Sequence, residues 1–377
     1  MYLYFSQLAN VDVETLRELT MPAPATFLHT RADHEDVEVG DRAAEMDWQT
    51  RQHCFSLAKK IDVEDLEGDV IRIICNVLPL LSRPREIVLR SLKESSESQE
   101  TGRVVSGMNM TECLRRLKLH KICLTEKSLP LLANALQKAC NLQELVLSEN
   151  PLGSSVRCLA ANLRHVQQLT ILELSDVLME HVTFSDLANS LRHVPHLKVL
   201  SVSRNRLGTS ISALADNLEY VPQLTRLELR ETHMDEDGGR ALSNRLQSLP
   251  KLEVLDVSHN PLGSAVTMIA ETLCKATCLT ELNMTDTKMG AEEATALGRS
   301  LMFLQNLTTL SVGSNHLAQG VSALVWRLSE KSKLKRLNME NVEMGEEEVD
   351  SVAKACKKVQ SLAIFNDYLV NNLCFIL

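Results

Sequence analysis

A chain of 377 residues has room for two ordinary globular domains, yet only 3% of it is aromatic while 44% is hydrophobic. The core must therefore be built from Leu, Val, Ile and Ala, which suits stacked similar layers better than one interior packed around large rings. A net charge of −9, with acid and base intermixed and no continuous basic stripe, gives no reason to expect a nucleic-acid partner.

Residues 1–47 read as one segment. Met1–Leu19 is a short apolar helix candidate, and the two prolines of MPAPAT stop it. Residues 31–47, RADHEDVEVGDRAAEMD, are strongly acidic and read as a solvated loop. His34 lies among those acids without any metal-ligand spacing. The first residues lack the basic start of a signal peptide, and no stretch reaches membrane-spanning length, so a cytoplasmic protein without a membrane span is expected.

Residues 48–113 read as a cap over the first regular layer. WQTRQHCFSLAKKI is helical in pattern, and VIRIICNVLPLL is an apolar run. EIVLRSL, from Glu86, looks like a degenerate strand with Ile87 and Leu89 in the apolar positions. The polar insertion KESSESQETG is expected to be a surface loop.

From 114 to 361 the chain repeats. LQELVLSEN begins at Leu142, LKVLSVSRN at Leu197, LEVLDVSHN at Leu252 and LTTLSVGSN at Leu307. Variants lacking the last Asn begin at Leu114, Leu169, Leu224, Leu279 and Leu334, so successive units are alternately 28 and 27 residues apart. Each unit opens with a period-two strand and continues with apolar residues at three- and four-residue spacing, the mark of a helix. A strand-plus-helix unit of this period matches the leucine-rich repeat. Parallel strands stack about 4.8 Å apart, but helix axes need roughly 8–10 Å. The expected fold is thus an α/β leucine-rich-repeat solenoid, a horseshoe with parallel strands on the concave face and helices on the convex face.

Asn150, Asn205, Asn260 and Asn315 fall where the chain leaves the strand, where a buried amide can satisfy backbone groups. Alternate units put Val177, Thr232, Thr287 and Val342 there, so the true unit is a pair of repeats whose second turn needs other partners. Gly153, Gly208 and Gly263 are expected to take positive φ, with the following Ser capping the helix. At the end of the chain, residues 362–377, the next strand can begin at Leu362 or at Val359. The second option is favoured, because the first puts Asp367 at a Leu position.

Ten cysteines show no secreted disulfide framework. Cys113, Cys123, Cys140, Cys158, Cys274 and Cys356 stand where other repeats have apolar residues and read as small buried hydrophobes. Cys274 and Cys278 have no second ligand pair, so no metal is expected, nor is any cofactor. Asn-x-Thr at Asn109, Asn283 and Asn306 reads as coincidence, since Asn283 falls inside a predicted strand.

The alternation of two repeat types in the pattern Leu-x-x-Leu-x-Leu-Ser-x-Asn-x-Leu-Gly-x-Ser resembles the ribonuclease-inhibitor-like leucine-rich-repeat subfamily over residues 84–365. It is most similar to the C-terminal repeat domains of animal nucleotide-binding leucine-rich-repeat (NLR) immune receptors. That resemblance implies a ligand-sensing or autoregulatory repeat region. A free-standing enzyme regulator, either a ribonuclease-inhibitor-like blocker or a Ran-type GTPase activator, is the alternative. Ribonuclease inhibitors carry Cys where this chain has Val or Thr, and the Ran activators end in a strongly acidic tail that is absent here. No phosphate-binding Gly-x-x-x-x-Gly-Lys-Ser/Thr loop occurs.

Ser, His and Asp recur with the repeat, as scaffold residues do, and His165 and His193 read as surface positions on helices; no catalytic constellation is expected. The variable strand residues face away from the Leu layer. The candidate concave protein-binding surface is therefore Arg116, Lys118, His120, Glu144, Val146, Glu173, Val199, Arg226, Glu228, Arg230, Val254, Asp256, Glu281 and Arg336. Arg226 and Arg230 are its expected anchors, because Arg is enriched at interface hot spots.

Overall fold

A computed structural model describes residues 2–4, 30–31, 59–63, 74–75, 78–90, 98–108, 110–328, 333–342, 344, 346–359, 364–365 and 368–369. The chain divides into two compact units, Met1–Leu178 and Met179–Leu377.

In the first unit, strands β1 (Tyr2–Tyr4), β2 (Thr30–Arg31), β3 (Lys60–Val63), β4 (Glu86–Arg90), β5 (Arg116–His120), β6 (Glu144–Val146) and β7 (Ile171–Glu173) line up in the order β7-β6-β5-β4-β3-β1-β2. All neighbours are parallel except β1 and β2. The register sets Ile61, Ile87, Leu117, Leu145 and Leu172 in one row, each at most 1% exposed. Helices α1 (Ser98–Gly107), α2 (Leu129–Ala135) and α3 (Val156–Asn162) connect successive strands.

The second unit repeats the plan with β8 (Val199–Ser201), β9 (Arg226–Glu228), β10 (Val254–Asp256), β11 (Glu281–Asn283), β12 (Thr309–Ser311), β13 (Arg336–Asn338), β14 (Ile364–Phe365) and β15 (Tyr368–Leu369). Its row is Leu200, Leu227, Leu255, Leu282, Leu310, Leu337 and Phe365. The helices are α4 (His181–Ser190), α5 (Ile211–Asn217), α6 (Glu236–Leu246), α7 (Ala265–Leu273), α8 (Ala291–Leu301), α9 (Gly320–Leu328) and α10 (Glu346–Lys358). Each buries the apolar stripe its spacing marks, for example Val266, Ile269, Ala270 and Leu273 on α7. Each unit is thus leucine-rich-repeat solenoid, strands in one layer and helices in another.

The asparagines act as expected, and they also answer the question of the alternate turns. Asn260 Nδ2 donates to the carbonyls of Leu229, Val257 and Ser258 at 2.7–3.0 Å. Its Oδ1 accepts from the Thr232 and Met234 N–H groups of the preceding repeat, both at 3.0 Å. Asn150 and Asn315 repeat this set. One Asn therefore closes two turns, and Thr232 adds a hydroxyl bond to the Leu229 carbonyl at 3.0 Å. Here lies the physical basis of the 55-residue pair.

Gly153, Gly208 and Gly263 have φ of 48–51° as expected. The residue before each Asn is also left-handed without being Gly: Glu149, Arg204, His259 and Ser314 have φ of 52–58°.

Several expectations need correction. Tyr2–Tyr4 is a strand, not part of a helix, and Lys60–Val63 is a strand where the helical pattern of 48–61 ended. Part of the polar insertion forms α1 rather than a loop, with the Ser106 hydroxyl bonded to the Gly102 carbonyl at 2.8 Å. The serines after the left-handed glycines do not cap helices. Ser155 already has helical φ and ψ of −70° and −13°, so its Oγ turns back to the Leu152 carbonyl at 2.6 Å. At the end of the chain, Arg336 pairs with Ile364 and Leu337 with Phe365, which is the Leu362 register and not the Val359 one. The objection to that register falls because β15 folds back antiparallel on β14 straight after Phe365. Among the described cysteines named above only Cys356 is buried, and Cys140 is exposed. Residues 5–29, 32–58, 64–73, 91–97, 370–377 and shorter stretches lie outside the described residues, among them His34 and the acidic segment after Arg31.

Candidate functional site

The variable strand residues of the first unit form a closed ladder of ion pairs. Lys60 Nζ reaches Asp62 at 3.1 Å and Glu86 at 3.7 Å, and Arg90 reaches Asp62 at 3.2 Å. Arg116 bridges Glu86 at 3.0 Å and Glu144 at 3.4 Å, while Lys118 Nζ holds Glu144 at 2.6 Å. His120 lies 3.6 Å from Glu149. The basic trio Arg116, Lys118 and His120 is thus matched by acids from neighbouring strands and offers no basic patch. Glu144 and Val146 are only 9% and 6% exposed, so they line the floor of this face rather than its surface. Glu173 is half-buried on β7.

The second unit differs. Arg226 Nη1 is tied to Glu228 Oε1 at 2.8 Å, so these two candidates occupy each other. Asp256 accepts from the Ser258 N–H and hydroxyl at 2.9 and 2.6 Å and from Asn283 Nδ2 at 3.1 Å, a role in closing the strand end. Val254 is 8% exposed, and Ser201, Ser203 and Ser258 are also buried. Val199 and Glu281 are half-buried at the strand starts, and Arg336 is exposed. Arg230 stands apart. Its Nε is buried without a hydrogen-bond partner, although its backbone N–H donates to Ser203 Oγ at 3.1 Å. A buried donor left unpaired costs about 1–3 kcal/mol.

Of the two expected anchors, then, the structure engages Arg226 and leaves Arg230 with an unmet donor. Sequence reasoning also passed over a row of charged residues at the strand exits. Arg204 lies 3.7 Å from Glu231, and His259 Nδ1 lies 3.1 Å from Asp286. These residues, with Glu149 and Asp176, sit on left-handed backbone. The available signal was their recurrence one residue before the turn position of each unit. Among the described residues no group of three or more His, Cys, Asp and Glu is placed to hold a metal, and no helix is long and apolar enough to cross a membrane.

A leucine-rich-repeat family model matches residues 248–265. The chain is 29% identical to the ribonuclease inhibitor of Mus musculus over 223 residues, 57% of this chain and 49% of that protein. It is 30% identical to the ribonuclease inhibitor of Sus scrofa over 57% of this chain and 48% of that one. It is 28% identical to the NLR family CARD domain-containing protein 4 of Mus musculus over 54% of this chain and 21% of that protein. The chain spans about half the length, or less, of the curated relatives it matches. The alternating repeats, the asparagine closure of paired turns and these similarities converge: the chain is built of leucine-rich repeats that resemble those of ribonuclease inhibitors and of NLR proteins.

Proposed function

We propose that this chain is a non-catalytic protein-binding scaffold, working in the cytoplasm as the ligand-sensing or autoregulatory repeat region of an NLR-like innate immune protein. The observation that carries the binding role is Arg230, whose guanidinium Nε is buried without a hydrogen-bond partner beside the buried Ser203. The immune assignment is supported by similarity to the NLR protein of mouse. Arg230→Glu should weaken capture of the physiological partner by at least about tenfold, with an unchanged melting temperature. Equal capture by wild type and variant overturns the reading.

A second reading, that of an enzyme blocker, draws on the similarity to the ribonuclease inhibitors of mouse and pig. Inhibition of a pancreatic-type ribonuclease by the purified chain at stoichiometric concentration favours it, and full ribonuclease activity removes it.

A further inference from the structure

Beyond the strand face, the second unit carries a cavity on its turn side. It has a volume of about 440 Å³ and is lined by His181, Arg206, Leu207, Gly208, Thr209 and His233. No acidic side chain lines it. Arg206, His181 and His233 are exposed, and among the described residues none of the three side chains makes an ion pair. A guanidinium and two imidazoles lining one cavity with no acid among them favour an anion.

The other repeats indicate which anion fits. One 55-residue period earlier, Glu126 stands where His181 stands here, and one period later Glu236 does. Glu126 Oε1 accepts from the Ser154 N–H at 2.7 Å and occupies the place a Cβ on Gly153 would take. Glu236 accepts from the Ser264 hydroxyl at 2.7 Å and fills the same place before Gly263, at 2.5 Å. Before Gly208 nothing lies within 4 Å. Two repeats thus fill this cradle with a glutamate of their own chain. The third replaces the glutamate by His181, and in addition replaces the flanking Pro151 and Pro261 by Arg206. The fourth has Ala318 and Ala291 in place of the Gly and the Glu, and His316 in place of Arg206, so Arg and His stand together at these two places only in the repeat of Gly208.

We infer that the cavity before Gly208 takes a carboxylate from an acidic side chain of a partner protein, held by Arg206 with His181 and His233 beside it. It is a binding site separate from the strand face, and its existence does not depend on what that face binds. The guanidinium offers paired N–H donors to a carboxylate, and the glutamates of the neighbouring repeats show that this side chain suits the space.

The test is a titration of the full chain with the peptide acetyl-Gly-Glu-Glu-Gly-amide, followed by the ring proton resonances of His181 and His233, with the Gln-Gln peptide and inorganic phosphate as parallel arms. The expected result is saturable shifts with the Glu peptide alone, weakened about tenfold or more in Arg206→Ala. In His181→Glu, which restores the internal carboxylate, the peptide should no longer shift His233, while far-ultraviolet circular dichroism stays unchanged. Equal shifts with the Gln peptide, shifts with phosphate alone, or retained binding in His181→Glu would each overturn the assignment. Should Arg206→Ala fail to fold, Arg206→Gln, which keeps the stem and removes the charge, gives the same readout.

Discussion

At the scale of single residues, the asparagines do more for the fold than their number suggests. Asn260 is fully buried, and its amide satisfies two N–H groups and three carbonyls belonging to two repeats. Removing it takes a partner from all five in a place water does not reach, and only the Leu229 and Ser258 carbonyls keep another, from the Thr232 hydroxyl and the Glu231 N–H. Asn260→Ala is therefore expected to cost about 3 kcal/mol or more in urea unfolding, whereas a loss below about 1 kcal/mol would mean that the turns close by other means. Cys356 on α10 makes a separate case. Burial of its thiol raises the pKa to about 11, partly opposed by a backbone hydrogen bond. Burial penalises the thiolate in the folded state, so the stability this group contributes is intact below the ordinary value of 9.0 and is lost as pH climbs through about 11. At neutral pH a disulfide reagent should label the exposed Cys140 and Cys278 well before Cys356. Equal labelling rates would contradict its burial.

At the scale of elements, the strands were legible because a period-two pattern repeated every 27 or 28 residues leaves no freedom of register. A slip of one would turn Leu227, Leu255 and Leu282 out of the core together. Leu227→Ala should accordingly cost about 2–5 kcal/mol through the cavity it leaves, and a negligible change in the unfolding midpoint would overturn the register. The irregular ends were less legible for the same reason. Lys60–Val63 is a strand because β1 and β4 pair with it on both sides, a long-range fact absent from its local pattern. Ser98–Gly107 is polar in composition yet buries Val104 and Val105, two apolar residues too few to mark a helix by spacing. The Leu362 register looked wrong because Asp367 fell at a core position, and the reversal after Phe365 cannot be read from side-chain type.

At the scale of the molecule, composition excluded more than it specified, and the functional surface was only half legible. From Arg116 to Asn338 the period located the strand-face positions, but which of those side chains is free depends on neighbours one repeat away. Arg116 and Lys118 are matched by Glu86 and Glu144, and Arg226 by Glu228, pairs formed across or along strands that sequence order does not reveal. The cavity at His181, Arg206 and His233 was missed because those residues belong to three different stretches and stand out only when repeats are compared 55 residues apart.

The most direct test of the scaffold reading is site-specific photo-cross-linking in the source cells. A benzophenone side chain is placed at Glu281 on the strand face beside Val254, and in a second variant at the exposed Glu271 on α7. A protein-binding strand face predicts discrete cross-linked protein adducts from position 281 and few from position 271. Adducts arising mainly from position 271, or none from position 281, would contradict it.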